Sequence, residues 1–115
     1  MTKPLAYVCS PYIGDSRFNS QKAKEYSRKI YDAGFNPLAP EHILSHYLAD
    51  RLPKDPSGKK DFAQVLLRGC RVIVMCGDVV TSEMSDDLGL AARLNIVYTS
   101  LNGVMDVAKC LGVKQ

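Results

Sequence analysis

Short apolar runs and runs with helical spacing take turns along the 115-residue chain. Residues 5–9, 35–39, 72–76 and 96–98 are brief, apolar and bounded by Gly, Pro or polar residues, which predicts four strands. Between the first two, Ala23, Tyr26, Ile30 and Ala33 recur at spacings of three and four, predicting a helix with Asn19 as its N-cap and Gly34 as its stop. Ile43, Leu44, Tyr47 and Leu48 predict a short helix within 41–50. Phe62, Val65 and Leu66 predict another over 61–69. Thr81-Ser82 opens a helical pattern that ends near Asn95, and Val104, Val107, Ala108 and Leu111 mark a last helix over 102–111. Residues 52–60 hold Pro53, Pro56 and Gly58 among charges, so they read as an exposed loop.

Strands that alternate with helices over the whole length predict an α/β fold, a parallel sheet of about four strands with helices on both faces. Right-handed crossovers in a short chain favour the doubly wound order 2-1-3-4. In that order the winding reverses between strands one and three. The loops 10–17 and 77–82, remote in sequence, then become neighbours across one crevice at the carboxyl ends of the strands.

Composition narrows the function classes. With 46% hydrophobic and 23% charged residues the chain reads as a single globular domain over 1–115. No apolar run approaches the roughly 20 residues of a membrane helix, so no membrane partner is expected. Met1-Thr2-Lys3-Pro4 leads straight into the first apolar run without a secretory h-region, from which a cytoplasmic location is expected. The net charge of +3 comes from 15 basic and 12 acidic residues that are scattered rather than clustered, so no nucleic-acid partner is expected. The four cysteines form no CxxC pair; Cys9, Cys70 and Cys76 lie in or beside apolar runs and read as buried thiols. His42 and His46 share a helix face, but no HExxH pattern accompanies them, so neither a metal nor a cofactor is expected.

The two loops carry the candidate chemistry. The first offers Ser10, Pro11, Tyr12, Gly14, Asp15, Arg17 and Asn19: hydroxyls, a permissive backbone, one cation and an aromatic face, an inventory suited to a sugar or phosphate with a base to stack. The second offers Gly77, Asp78 and the Thr81 and Ser82 hydroxyls at a helix start, where anions are favoured, although Thr81, Ser82 and Asn19 are equally ordinary capping residues. Asp87 stands about one turn inside that helix, near Glu83 and Asp86. Neighbouring carboxylates raise one another's pKa and serve as acid, base or nucleophile at a glycosidic centre; acidic residues near a helix start also simply complement its dipole. Tyr7 in the first strand can reach the same point, and His42 can face the crevice from the end of strand two.

The segment Tyr7-Val8-Cys9-Ser10-Pro11-Tyr12-x-Gly14-Asp15, with Asn19, Pro37-Leu38-Ala39-Pro40, Cys76-Gly77 and the run Thr81 to Asp87, resembles the nucleoside 2-deoxyribosyltransferase-like family, and most of all a small branch frequent in bacterial and phage genomes. The resemblance implies a flavodoxin-like domain that is a homodimer or higher homo-oligomer, its members cleaving or exchanging the N-glycosidic bond of nucleosides or nucleotides. It implies that Asp87 falls at the position of the family's glutamate nucleophile, Tyr7 at the tyrosine that orients it and Thr81 at a phosphate-holding serine. Aspartate is one methylene shorter, Glu83 replaces a small residue, and Arg71 replaces a family aspartate. The expected partner is a nucleoside, nucleotide or ADP-ribose-type small molecule. The alternative is a non-catalytic binder that sequesters a nucleotide-derived signal, such as a cyclic ADP-ribose-type molecule, in a phage protein that counters host defence.

Overall fold

A computed structural model of the chain describes residues 2–11, 16–47 and 56–113. Its elements follow in the order β1 (Leu5–Cys9), α1 (Ser16–Asp32), β2 (Asn36–Leu38), α2 (Pro40–Tyr47), α3 (Pro56–Arg68), β3 (Val72–Met75), α4 (Ser82–Arg93), β4 (Val97–Ser100) and α5 (Val104–Cys110). The four strands are parallel and ordered β2-β1-β3-β4, the doubly wound arrangement expected. β2 lies at an edge, and this is why Pro37 sits inside it: a proline cannot donate to a ladder, and an edge strand needs donors on one side only.

Side chains of a strand alternate between its two faces, and the core divides accordingly. Ala6, Val8, Val72 and Val74 pack on one face with Ile30 and Ala33 of α1 and Val104 and Ala108 of α5. Tyr7, Cys9 and Ile73 pack on the other with Leu67 of α3 and Met84, Leu90 and Ala91 of α4. Both strands β1 and β3 are therefore covered on both sides, which is why they read as continuous apolar runs in the sequence.

The termini of the helices show what local signals did and did not convey. Gly34, with φ 107°, ends α1 as expected, and Asn95 takes the same role after α4 in the left-handed region, at φ 58°. The start of α1 is a correction. The helix begins at Ser16, so Asn19 is not its N-cap but lies buried in its fourth position. The start of α3 is another, because residues 56–60 are helical rather than loop. Pro56 occupies the first helical position, where its missing N–H costs nothing and its fixed φ suits the helix, so its proline signalled a beginning rather than a break. The remainder of that expected loop, 52–55, and the end of the expected helix at 48–50 lie outside the described residues.

No described helix is long and apolar enough to cross a membrane.

Candidate active site

α4 presents its inward face at spacings of three and four. Met84 and Ala91 on that face are buried in the core, and Asp87 stands between them, one turn after the first and one before the second. A carboxylate thus occupies an otherwise apolar stripe. Facing it is Tyr7, which the alternation of β1 directs to the same side of the sheet. Tyr7 is 3% exposed, and its hydroxyl donates to Asp87 Oδ2 at 2.8 Å.

This pair lies in the lining of a cavity of about 290 Å³. The carboxyl end of β1 contributes Tyr7 to Ser10, α2 contributes Pro40, Glu41 and Leu44, α3 contributes Lys59, Lys60 and Ala63, and α4 contributes Thr81, Glu83, Met84, Asp86 and Asp87. Lys59 Nζ lies 2.7 Å from Glu41 Oε1 and ties α3 to α2 at the rim. Lys60 Nζ lies 3.9 Å from Asp86 Oδ2 in a far more exposed pair.

Burial governs the electrostatics. It raises the Asp87 carboxyl above its ordinary value; the Tyr7 hydrogen bond pulls the other way, and Glu41, Asp86 and Glu83 add like-charge repulsion. Glu41 is likewise raised by burial, with Lys59 opposing the shift. The Tyr7 phenol is driven far above its usual range by burial and by the Asp87 charge, so it stays a hydrogen-bond donor. Cys9 lines the same cavity, but burial, followed by the charge of Asp87, pushes its thiol up, and no thiolate nucleophile is present there at neutral pH. Cys70 and Cys76 are pushed up to about 12 by burial alone.

The start of α4 is already satisfied from within. Thr81 is its N-cap and its hydroxyl accepts from Met84 N at 3.2 Å. Thr81 N donates in return to Met84 Sδ at 3.5 Å, a capping box with a thioether in the place of the usual carboxylate. Ser82 Oγ donates to Glu83 Oε2 at 3.3 Å. The Glu83 carboxyl is held below its ordinary range by its own backbone N–H, with the Thr81 and Ser82 hydroxyls adding to the effect.

The fold brings together Tyr7, Ser10, Thr81 and Asp87 from the residues singled out in the sequence. The two loops do meet: a β-carbon on Gly77, at φ +89°, would stand 2.9 Å from Pro11 Cδ. Pro11, Gly77, Asp78 and Ser82 are nevertheless not among the lining residues, and the last three are exposed. Asn19 belongs to α1, which covers the opposite face of the sheet from α3 and α4. His42 is half-buried in the first turn of α2, next to the lining residue Glu41 rather than within the lining. Arg17 belongs to the first turn of α1, and Tyr12, Gly14 and Asp15 lie outside the described residues. Sequence reasoning missed the wall made by Glu41, Lys59 and Lys60. The one signal for it was Pro40-Glu41, a helix start placed directly after a strand. Among the described residues no group of three His, Cys, Asp or Glu side chains is disposed to hold a metal ion.

No curated protein sequence matches the chain. A family model described as a domain of unknown function (DUF7768) matches residues 4–100, and the chain belongs to that family.

Proposed function

We propose that the protein binds a nucleoside-like ligand in this cavity and cleaves or exchanges its N-glycosidic bond, with Asp87 as the nucleophile. The observation that carries the reading is the 2.8 Å hydrogen bond from the Tyr7 hydroxyl to Asp87 Oδ2 in the lining of a cavity of about 290 Å³. A carboxylate that is half-buried, held by one donor and open to a cavity is equipped to attack an anomeric carbon. With Oδ2 held, Oδ1 is the attacking atom. It forms a bond to C1′ as the bond from C1′ to the base breaks, and water or a second base then displaces the carboxylate, so configuration is retained over the two steps.

Tyr7 stabilises the ionised carboxylate and fixes its rotamer. In the ester intermediate the same hydroxyl donates to the carbonyl oxygen that Oδ2 becomes. Met84, Leu44 and Ala63 give the cavity an apolar wall for the base. The resemblance to the deoxyribosyltransferase-like family supports the same roles, as does the placement of the pair at the carboxyl ends of parallel strands, where open α/β sheets hold their ligands.

The test is to incubate the pure protein with ribo- and deoxyribonucleosides, their 5′-monophosphates and N-ribosyl pyridinium compounds, and to look for free base. Release of base that Asp87→Asn abolishes supports the reading. A ligand that binds and is recovered intact favours sequestration without chemistry, and failure of all of them to be cleaved or bound overturns both.

A further inference from the structure

The charge of the cavity bears on which N-glycoside enters it. Among the described residues, four carboxylates, Glu41, Glu83, Asp86 and Asp87, line it against two ammonium groups, Lys59 and Lys60. Lys59 is engaged by Glu41 at 2.7 Å, and Lys60 faces Asp86 at 3.9 Å in a solvent-exposed pair. The Lys59 charge also reaches Glu83, whereas the groups acting on Asp87 are Tyr7 and the carboxylates Glu41, Asp86 and Glu83.

A second observation, independent of that count, concerns the place where a 5′-phosphate would be held. A helix start with free N–H groups and hydroxyls is the ordinary phosphate site of such folds. Here the Thr81 hydroxyl accepts from Met84 N and the Ser82 hydroxyl donates to Glu83 Oε2. The chain's own Glu83 carboxylate thus takes up a hydroxyl at this helix start.

We propose that the site takes a cationic N-glycoside without a 5′-phosphate, one whose glycosidic nitrogen carries a formal positive charge, as in an N-ribosyl pyridinium; this rests on the reading of Asp87 given above. The chemistry is consistent with the lining. Asp87 Oδ1 bonds to C1′, the electron pair of the C1′–N bond returns to the ring nitrogen, and the base leaves neutral without needing a proton. Water then adds at C1′ and releases Asp87, with one proton passing to solvent. No leaving-group acid is required, and among the described residues no histidine lines the cavity. A lining in which carboxylates outnumber ammonium groups attracts such a substrate and repels a phosphate dianion, a discrimination achieved as much by repulsion as by attraction.

Three related molecules probe the charge preference: nicotinamide riboside, its neutral 1,4-dihydro form, and nicotinamide mononucleotide, which adds a 5′-phosphate. With the full chain at low ionic strength, the riboside is expected to bind at least about tenfold more tightly than the dihydro form, and to release nicotinamide with a kcat/KM at least about tenfold above that of the mononucleotide. Added salt should narrow both ratios. Glu83→Lys, a change at an exposed position, should raise kcat/KM for the mononucleotide while leaving Asp87 in place. Equal or better turnover of the mononucleotide, equal binding of the dihydro form, or faster cleavage of neutral nucleosides than of the riboside overturns the charge preference and leaves Asp87 as nucleophile standing. Selective binding of the riboside without cleavage supports the ligand class and overturns the catalytic role.

Discussion

Tyr7 and Asp87 are separated by 80 positions in the chain and by 2.8 Å in space, with the Tyr7 hydroxyl donating to Asp87 Oδ2. Tyr7 reaches that point because β1 alternates its side chains, and Asp87 because α4 repeats its inward face at three and four. A hydrogen bond to the ionised form lowers a carboxyl pKa, whereas nearby negative charge raises it. The pH profile of base release is therefore expected to rise through the raised Asp87 value on its acid side. Tyr7→Phe should move that limb to higher pH and reduce kcat by roughly 10- to 100-fold. Glu41→Gln should move it to lower pH, since Glu41 contributes to the upward shift of Asp87. Rate measurements between pH 4 and 8 check both directions, and a Tyr7→Phe limb that does not move would show that the phenol does not tune the nucleophile.

The Lys59–Glu41 pair joins α3 to α2, and its side chains are only 33% and 24% exposed. It should contribute more than a surface ion pair. A double-mutant cycle on Lys59→Met and Glu41→Gln is expected to give a coupling energy of about 1 kcal/mol, measured by urea denaturation at pH 7. Lys59→Met alone should cost more than the double substitution relative to wild type, because it leaves a half-buried carboxylate without its cation. A coupling near zero would mean that solvent screens the pair.

The sheet order could be read in advance because hydrophobic period and turn residues are local signals, and the rule for parallel crossovers leaves few topologies. The role of Asp87 in the lining was also within reach, since the spacing 84, 87, 91 puts it on the apolar stripe of α4. Glu41 and Lys59 were not. Their encounter depends on how α2 and α3 pack against each other, and no pattern along the chain encodes a contact between two helices joined by residues rich in proline and charge. Asn19 misled for a related reason: capping propensity is a local preference, and α1 begins four residues closer to the amino end than that preference indicates.

The contact between the loops after β1 and β3 makes a prediction of its own. Gly77 has φ +89°, and an added β-carbon would approach Pro11 Cδ to 2.9 Å, with Pro11 Cγ at 3.1 Å. A proline ring is not the far end of a flexible side chain, so it cannot swing aside. Gly77→Ala therefore combines a left-handed backbone strain with a steric conflict and is expected to cost about 1–3 kcal/mol in stability. Denaturation of the variant against wild type checks this. Gly112→Ala, where φ is +73° but nothing lies within 4 Å, is the control for backbone strain alone, and it should cost less.

Asp87 should also carry a stability cost that depends on pH. Its carboxyl is raised in the folded chain by burial, with further repulsion from Glu41, Asp86 and Glu83. Between the unfolded value, near 3.9, and the folded one, the native state binds more protons than the unfolded state, so the stability of the fold decreases as pH rises through that window. The ionised form is thus the one less favoured by the fold. Asp87→Asn keeps the shape and an acceptor for Tyr7 while removing the charge. It is expected to be more stable than wild type at pH 7 by roughly 0.5–1 kcal/mol, the range common for substitutions that relieve a functional site. The advantage should shrink as pH falls through the raised Asp87 value, below which wild-type Asp87 is itself protonated. Thermal melts of both proteins across that range measure the difference directly. A variant less stable at pH 7 than wild type would mean that the Tyr7 hydrogen bond outweighs burial and repulsion together, and that the carboxylate is held in place without strain.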